Sequence, residues 1–220
     1  MSSRSVKTQP ARRRLQCKPG KIVIVSSPSG GGKTSICRKL LSPARRDRGW
    51  RFSVSYTTRQ KRPGERNGRE YFFVNEDEFQ QLVAADFFAE HFKVHLYHYG
   101  TPRRPLQQAP GKGDIMLLDV DVQGALRLKK EYPDALTIFI LPPSIASLKQ
   151  RLRKRGTETS DHLTVRFQNA RKEMRLYPRF EYVVVNKELS EAVSRVLSIV
   201  EAHHCRTDKL NPEQMKRISG

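Results

Sequence analysis

The chain is poor in three things. Its 220 residues include three cysteines, Cys17, Cys37 and Cys205, at no paired metal-ligand spacing. So sparse and odd a set excludes a disulfide scaffold and points to a reducing compartment. No apolar run approaches the roughly 18–20 residues that a membrane-spanning helix needs, so no membrane partner is expected. Acids are scarce as well: 22 Asp and Glu stand against 42 Lys and Arg, a formal net charge of +20. That imbalance favours anionic partners, either nucleic acid or small phosphorylated ligands. No zinc-finger spacing, RNP-type aromatic pattern or basic heptad accompanies the charge, so no specific nucleic-acid partner is expected.

What is present suits one sizeable core. Residues 1–20 carry six basic residues and no acid, and read as a flexible basic tail. An Arg- and Ser-rich start is also the composition of an organelle transit peptide, but Pro10 and Pro19 interrupt any amphipathic helix. From Lys21 the chain alternates short β-branched runs with helical spacing. "KIVIV", "RFSVSYTT", "REYFFV", "DIMLLDVD", "ALTIFIL" and "YVVVN" read as strands. "KTSICRKLL" reads as a helix that Ser42-Pro43 stops, and "NEDEFQQLVAA" as one opened by an Asn75/Glu78 capping box. Three more helices run from Gln123 to Glu131, behind Ser144 as cap to before Gly156, and from Asp161 to Leu176. "ELSEAVSRVLSIVEAHH" reads as the closing helix. The order predicts an α/β fold, a parallel sheet flanked by helices.

The stretch "SSPSGGGKTS" follows the first strand directly and opens the first helix. It fits the phosphate-cradling pattern G-x-x-x-x-G-K-[ST], with Ser27 in place of the first glycine, then Pro28, Ser29, Gly30, Gly31, Gly32, Lys33 and Thr34. Such a loop turns successive N–H groups inward and presents a helix N-terminus to phosphates. Lys33 would then bridge the β- and γ-phosphates of ATP, and the Thr34 hydroxyl would ligate Mg²⁺. In a parallel sheet the tip of "DIMLLDVD" lies beside that loop. Asp119 and Asp121 there could meet Mg²⁺ through water or a substrate; Asp121 could equally cap the next helix. Arginines at 59, 62, 155 and 166 have the fork geometry that phosphoryl groups require, though spacing alone does not separate them from solvated surface arginines. His91, His95 and His98 lie close in sequence but alternate in a strand, so they are not expected to converge on a metal. His203 and His204 are expected at the surface and Trp50 in packing.

Taken together, "SSPSGGGKT", "FSVSYTTRQKRPGERNGREYFFV", "LLDVDVQGA", "LPPS" and "RGTET" resemble the guanylate kinase family, from Lys21 to about Ala202. The second segment is the most specific of them. The resemblance implies Mg²⁺-dependent transfer of the ATP γ-phosphoryl group to GMP by a cytoplasmic monomer or homodimer. It also implies a three-part architecture. The P-loop core would comprise 21–53, 104–143 and 167–206, with a GMP-binding lobe at 54–103, a lid at 144–166 and a tail at 207–220. Carried over residue by residue, Ser55, Arg59, Arg62, Tyr71 and Tyr99 would hold the GMP phosphate. Glu90, Thr101 and Asp119 would read guanine, Arg155 and Arg166 would be lid arginines, and Asn186 would approach adenine. Thr101 stands where the family commonly has serine and keeps the hydroxyl. Two alternatives share these features: a kinase of another small phosphate ester, and an inactive guanylate-kinase-like module that binds proteins. Both are marked by losses, of the GMP-lobe residues or of the P-loop lysine and lid arginines, and those residues are all present.

Overall fold

The computed structural model describes residues 21–94, 96–112, 114–154, 160–207 and 216. Strand β1 (Lys21–Ser26) is buried along its whole length and lies at the centre of a five-stranded sheet. The sheet order is β2 (Trp50–Phe52), β7 (Ile115–Asp119), β1, β8 (Leu136–Leu141) and β9 (Tyr182–Val185), and every pairing is parallel. Strands buried on both faces need continuous apolar runs, which "KIVIV" and "IMLL" provide.

Alternation within β1 divides the core in two. Val23 and Val25 pack with Ile36 and Leu40 of α1 (Lys33–Leu40) and with Val193, Val196 and Val200 of α8 (Leu189–His204). Ile22 and Ile24 face the other way, onto Leu106 of α4 (Arg103–Lys112) and Val122, Ala125 and Leu128 of α5 (Val122–Glu131). Trp50 is buried in the first of these clusters. His203 is buried as well, against the expectation of a surface pair, because it continues the inward stripe of α8. Burial and the nearby Lys21 charge push the neighbouring His204 down to about 4.

A second sheet, in the order β4-β3-β6-β5, is formed by β3 (Tyr56–Thr57), β4 (Phe72–Phe73), β5 (Phe88–Val94) and β6 (Tyr97–Pro102). The run "RFSVSYTT", expected as one strand, therefore splits. Trp50–Phe52 joins the parallel sheet, and Ser53 N–H still donates to Leu117 O. The chain then crosses to pair Tyr56 and Thr57 with β6. Alternation is identical in both halves, so nothing local marks the crossing. Helix α3 (Glu76–Ala84) starts at the expected capping box: Glu78 N–H donates to Asn75 Oδ1 and Asn75 N–H to Glu78 Oε2. Helix α4 was not expected, since Pro105 and Pro110 lie in it. Pro105 falls in the first turn, where a missing N–H leaves no helical bond unmade. Past Ser42, Pro43 opens the short helix α2 (Pro43–Arg46) at its first position. Helices α6 (Ile145–Lys154) and α7 (Ser160–Met174) pack through Leu148, Leu152, Phe167, Ala170 and Met174.

Candidate active site

The site lies where the strand order of the parallel sheet reverses. β7 runs on one side of β1 and β8 on the other, and their carboxyl ends leave a crevice that the β1–α1 loop fills. Gly30 and Gly32 adopt φ of 85° and 96°, conformations that disfavour any residue with a Cβ. Ser27, in place of the first glycine, closes the turn: its hydroxyl and the Gly31 N–H both donate to Pro28 O, each at 2.9 Å. Helices α3 and α5 have side-chain caps, Asn75 and Asp121, but α1 has none and no acid in its first turn. Its N-terminal N–H groups and dipole are thus left facing the cleft, as an anion requires.

Lys33 forms a partly buried ion pair with Asp119 at the tip of β7. Burial alone would lower its pKa; the Asp119 carboxylate outweighs this and holds it above the ordinary value. Asp121 accepts the Gly124 N–H at 2.8 Å, so it is a helix cap, and its carboxyl is pushed up by burial. It still lines the cleft, as do Thr34 and Asp119. Hydroxyl and carboxylate oxygens are hard donors of the kind Mg²⁺ accepts. That ion takes one or two protein oxygens beside water and phosphate, so the donor set fits it.

The cleft has a volume of about 730 Å³ and runs from the loop to the second sheet. On the sheet's side, Arg59 is buried and bidentate to Glu65, at 2.9 and 3.0 Å, beneath the Tyr71 and Phe73 rings. The Arg62 N–H donates to Glu65 Oε2 at 2.8 Å, so one carboxylate organises both arginines. Ser55, Tyr71 and Tyr99 line the same end. Burial pushes the Tyr71 hydroxyl up to about 12. Further along, Glu90 lies 6% exposed on β5 and accepts from Thr101 Oγ1 at 2.6 Å through Oε1. Its Oε2 is buried with no hydrogen-bond partner. Burial pushes this carboxyl up to about 7, against the Thr101 hydrogen bond.

Arg166 lines the cleft from α7 and donates to Ser29 Oγ at 3.3 Å. Arg155 and His95 lie outside the described residues. Asn186 sits behind the loop: its amide donates to Gly31 O at 3.0 Å, and a Cβ on Gly32 would strike it. Sequence reasoning gave no role to Glu65, Phe92, Arg151 or Glu173. Phe92 lines the cleft two residues after Glu90, on the same strand face, and that spacing was a usable signal. Arg151 donates to Gly31 O and Asn186 O. The contacts of Arg151 with Gly31 and of Glu173 with Ser29 span over a hundred residues, and that with Asn186 spans 35, so none leaves a local trace.

Comparison with known proteins agrees with this geometry. The sequence model of the family described as "Guanylate kinase" matches residues 19–203. A guanylate kinase of Caldanaerobacter subterraneus subsp. tengcongensis is 38% identical over 192 residues, covering 87% of this chain and 92% of that protein. One of Thermotoga maritima is 41% identical over 199 residues, covering 90% and 94%. The crystal structure of guanylate kinase from Anaplasma phagocytophilum superposes with a TM-score of 0.76 at 30% identity, over 91% of this chain and 95% of that one.

Proposed function

Because the chain belongs to the guanylate kinase family, an ATP:GMP phosphotransferase family, we propose a division of labour within its cleft. ATP phosphates lie against the Ser27–Thr34 loop and Lys33. The acceptor phosphate lies against Arg59, Arg62, Ser55, Tyr71 and Tyr99, and guanine lies against Glu90, Thr101 and Asp119. The observation that carries this reading is Glu90. A buried carboxylate with one oxygen engaged by Thr101 and the other unpaired matches a base edge that offers N–H donors. Guanine has such donors in its N1–H and 2-amino group; adenine presents an acceptor at N1. Leaving the carboxylate unpaired costs about 1–3 kcal/mol, so AMP is a poor acceptor.

Arg59 and Arg62 offset the acceptor's charge so that one anion can approach another. Lys33 neutralises charge on the donor phosphates, and Arg166 closes from α7 with Arg155. A GMP phosphate oxygen attacks the γ-phosphorus directly, the bond to the ADP oxygen breaks, and no covalent enzyme intermediate is needed. Thr34 would hold Mg²⁺, with Asp121 contributing through water; the ion supplies positive charge to the phosphate oxygens. Asn186, packed under Gly31, sets the loop's height and reaches adenine from its edge. Closure keeps water from the γ-phosphoryl group. Among the described residues no helix is long and apolar enough to cross a membrane, and we assign the activity to the cytoplasm, in a monomer or homodimer.

The test is a coupled ADP-release assay with ATP, Mg²⁺ and a panel of nucleoside monophosphates. GMP is expected to be turned over far faster than AMP, CMP or UMP. Equal rates with AMP, or ADP release that ignores the acceptor, would remove Glu90 from the base pocket.

A further inference from the structure

Ser29 is held from two directions by one helix. Its backbone N–H donates to Glu173 Oε2 at 3.0 Å, and its hydroxyl accepts from Arg166 Nη2 at 3.3 Å. Both partners belong to α7, seven residues apart, which is two helical turns and therefore one face. Between them Ala170 is fully buried, packed with Phe167 and Met174 against Leu148 and Leu152 of α6. A Cβ on Gly30 would lie 3.1 Å from Leu148 and Leu152, so α6 braces the next residue of the same loop. Glu173 itself lines the cleft. Burial pushes its carboxyl up, partly countered by the Ser29 N–H. A loop built of glycines has little stiffness of its own, and a half-buried acid that gives up part of its hydration is a costly way to orient it unless that orientation matters.

We propose that Glu173 is a positioning residue for phosphoryl transfer: by binding the Ser29 amide it locks α7 to the phosphate loop, so that loop shape and the aim of Arg166 are fixed together. The proposal rests on the phosphoryl-transfer reading of the cleft. It goes beyond that reading by assigning a role to a carboxylate that need not touch either nucleotide. It predicts an asymmetry, because the loop and Arg166 face the donor while Arg59 and Glu90 serve the acceptor on another sheet.

Steady-state kinetics on Glu173→Ala and Glu173→Gln test it, with wild-type ATP:GMP transfer measured first, so that failure of the underlying reading shows separately. Glu173→Ala is expected to lower kcat about tenfold or more and to raise KM for ATP severalfold, the scale of one lost hydrogen bond to a charged group. KM for GMP stays within about twofold. Glu173→Gln keeps a carbonyl acceptor for the Ser29 N–H and recovers most of the loss. Combining Glu173→Ala with Arg166→Ala costs less than the product of the two single effects, since one lock is broken twice. If circular dichroism shows Glu173→Ala unfolded, Glu173→Met replaces it, keeping length and losing the acceptor. Wild-type kcat and KM for ATP in the Ala or Met variant would overturn the proposal. So would an equal rise in both KM values, independent effects of the two substitutions, or a Gln variant as impaired as Ala.

Discussion

Lys33 and Asp119 are each other's counter-charge as well as site residues. Removing one leaves the other without its counter-charge in the cleft wall; because the pair is only partly buried, the cost is below the about 3–5 kcal/mol typical of a fully buried pair. Lys33→Ala is therefore expected to cut turnover by about 10²–10³-fold and to lower thermal stability. Lys33→Ala/Asp119→Ala should regain much of the stability and none of the activity; thermal unfolding beside the ADP-release assay checks both. Arg59→Ala should weaken GMP binding by calorimetry, whereas Arg166→Ala should lower kcat and leave GMP affinity nearly unchanged. Glu90 sets a pH dependence. Its folded pKa, about 7, lies above the unfolded carboxyl value. The stability contributed by the protonated form is complete below the unfolded pKa and is lost as pH rises through about 7. Guanine donors need the ionised form, so KM for GMP should fall as pH rises towards 7 and level off above it. GMP's own phosphate titrates near 6, so the diagnostic is the bend near 7 that Glu90→Gln abolishes.

Elements whose signals are local were legible in the sequence. The loop after β1, the Asn75/Glu78 box and the Asp121 cap depend on residues within a few positions of one another, and the structure has all three. Elements decided by distant partners were not. Nothing in "RFSVSYTT" records that its first half lies beside Leu117 and its second beside Tyr99, and Pro105 concealed α4. The candidate site divides in the same way. Lys33 and Arg59 sit in recognisable strings and Glu90 came only by carrying over the family's pattern, while Glu173 and Arg151 reach the loop across the fold. One contact between elements offers a sharp test. The Phe92 ring lies against Gly124 at the start of α5, where a Cβ would come within 2.8 Å of it, and Arg127 covers the ring and binds His91 O. Gly124→Ala should push β5 away from α5 and raise KM for GMP severalfold, with KM for ATP little changed. A pairing with Phe92→Leu should recover part of the loss.

At the scale of the whole molecule, the proposed reading gives each sheet one substrate, and part of the excess positive charge makes contacts within the fold instead. Arg45 and Arg46 illustrate this, since they donate to the carbonyls of Lys39 and Leu41 at the end of α1 and so act as helix caps. Residues 1–20 contain nothing matched to the site. Deleting residues 1–19 should leave kcat/KM unchanged and bring elution from a heparin column to lower salt, since basic side chains bind polyanions in a salt-dependent way. A large fall in kcat/KM would mean that the tail contributes to the site.

The central place of β1 also governs how the protein can be made. Val23 pairs with Leu117 on one side and Leu136 on the other, so the fully buried central strand is synthesised long before either neighbour. At about 5–20 residues per second, a ribosome needs roughly 5–20 s to bring out the first of them. Through that interval β1 has two open edges, and its protection depends on whatever receives a nascent chain. The second sheet, complete by Pro102, can meanwhile form from segments already released. A ribosome-stalled chain ending at residue 112 should therefore crosslink to chaperones through β1, and one extended past residue 141, with exit-tunnel length added, should not.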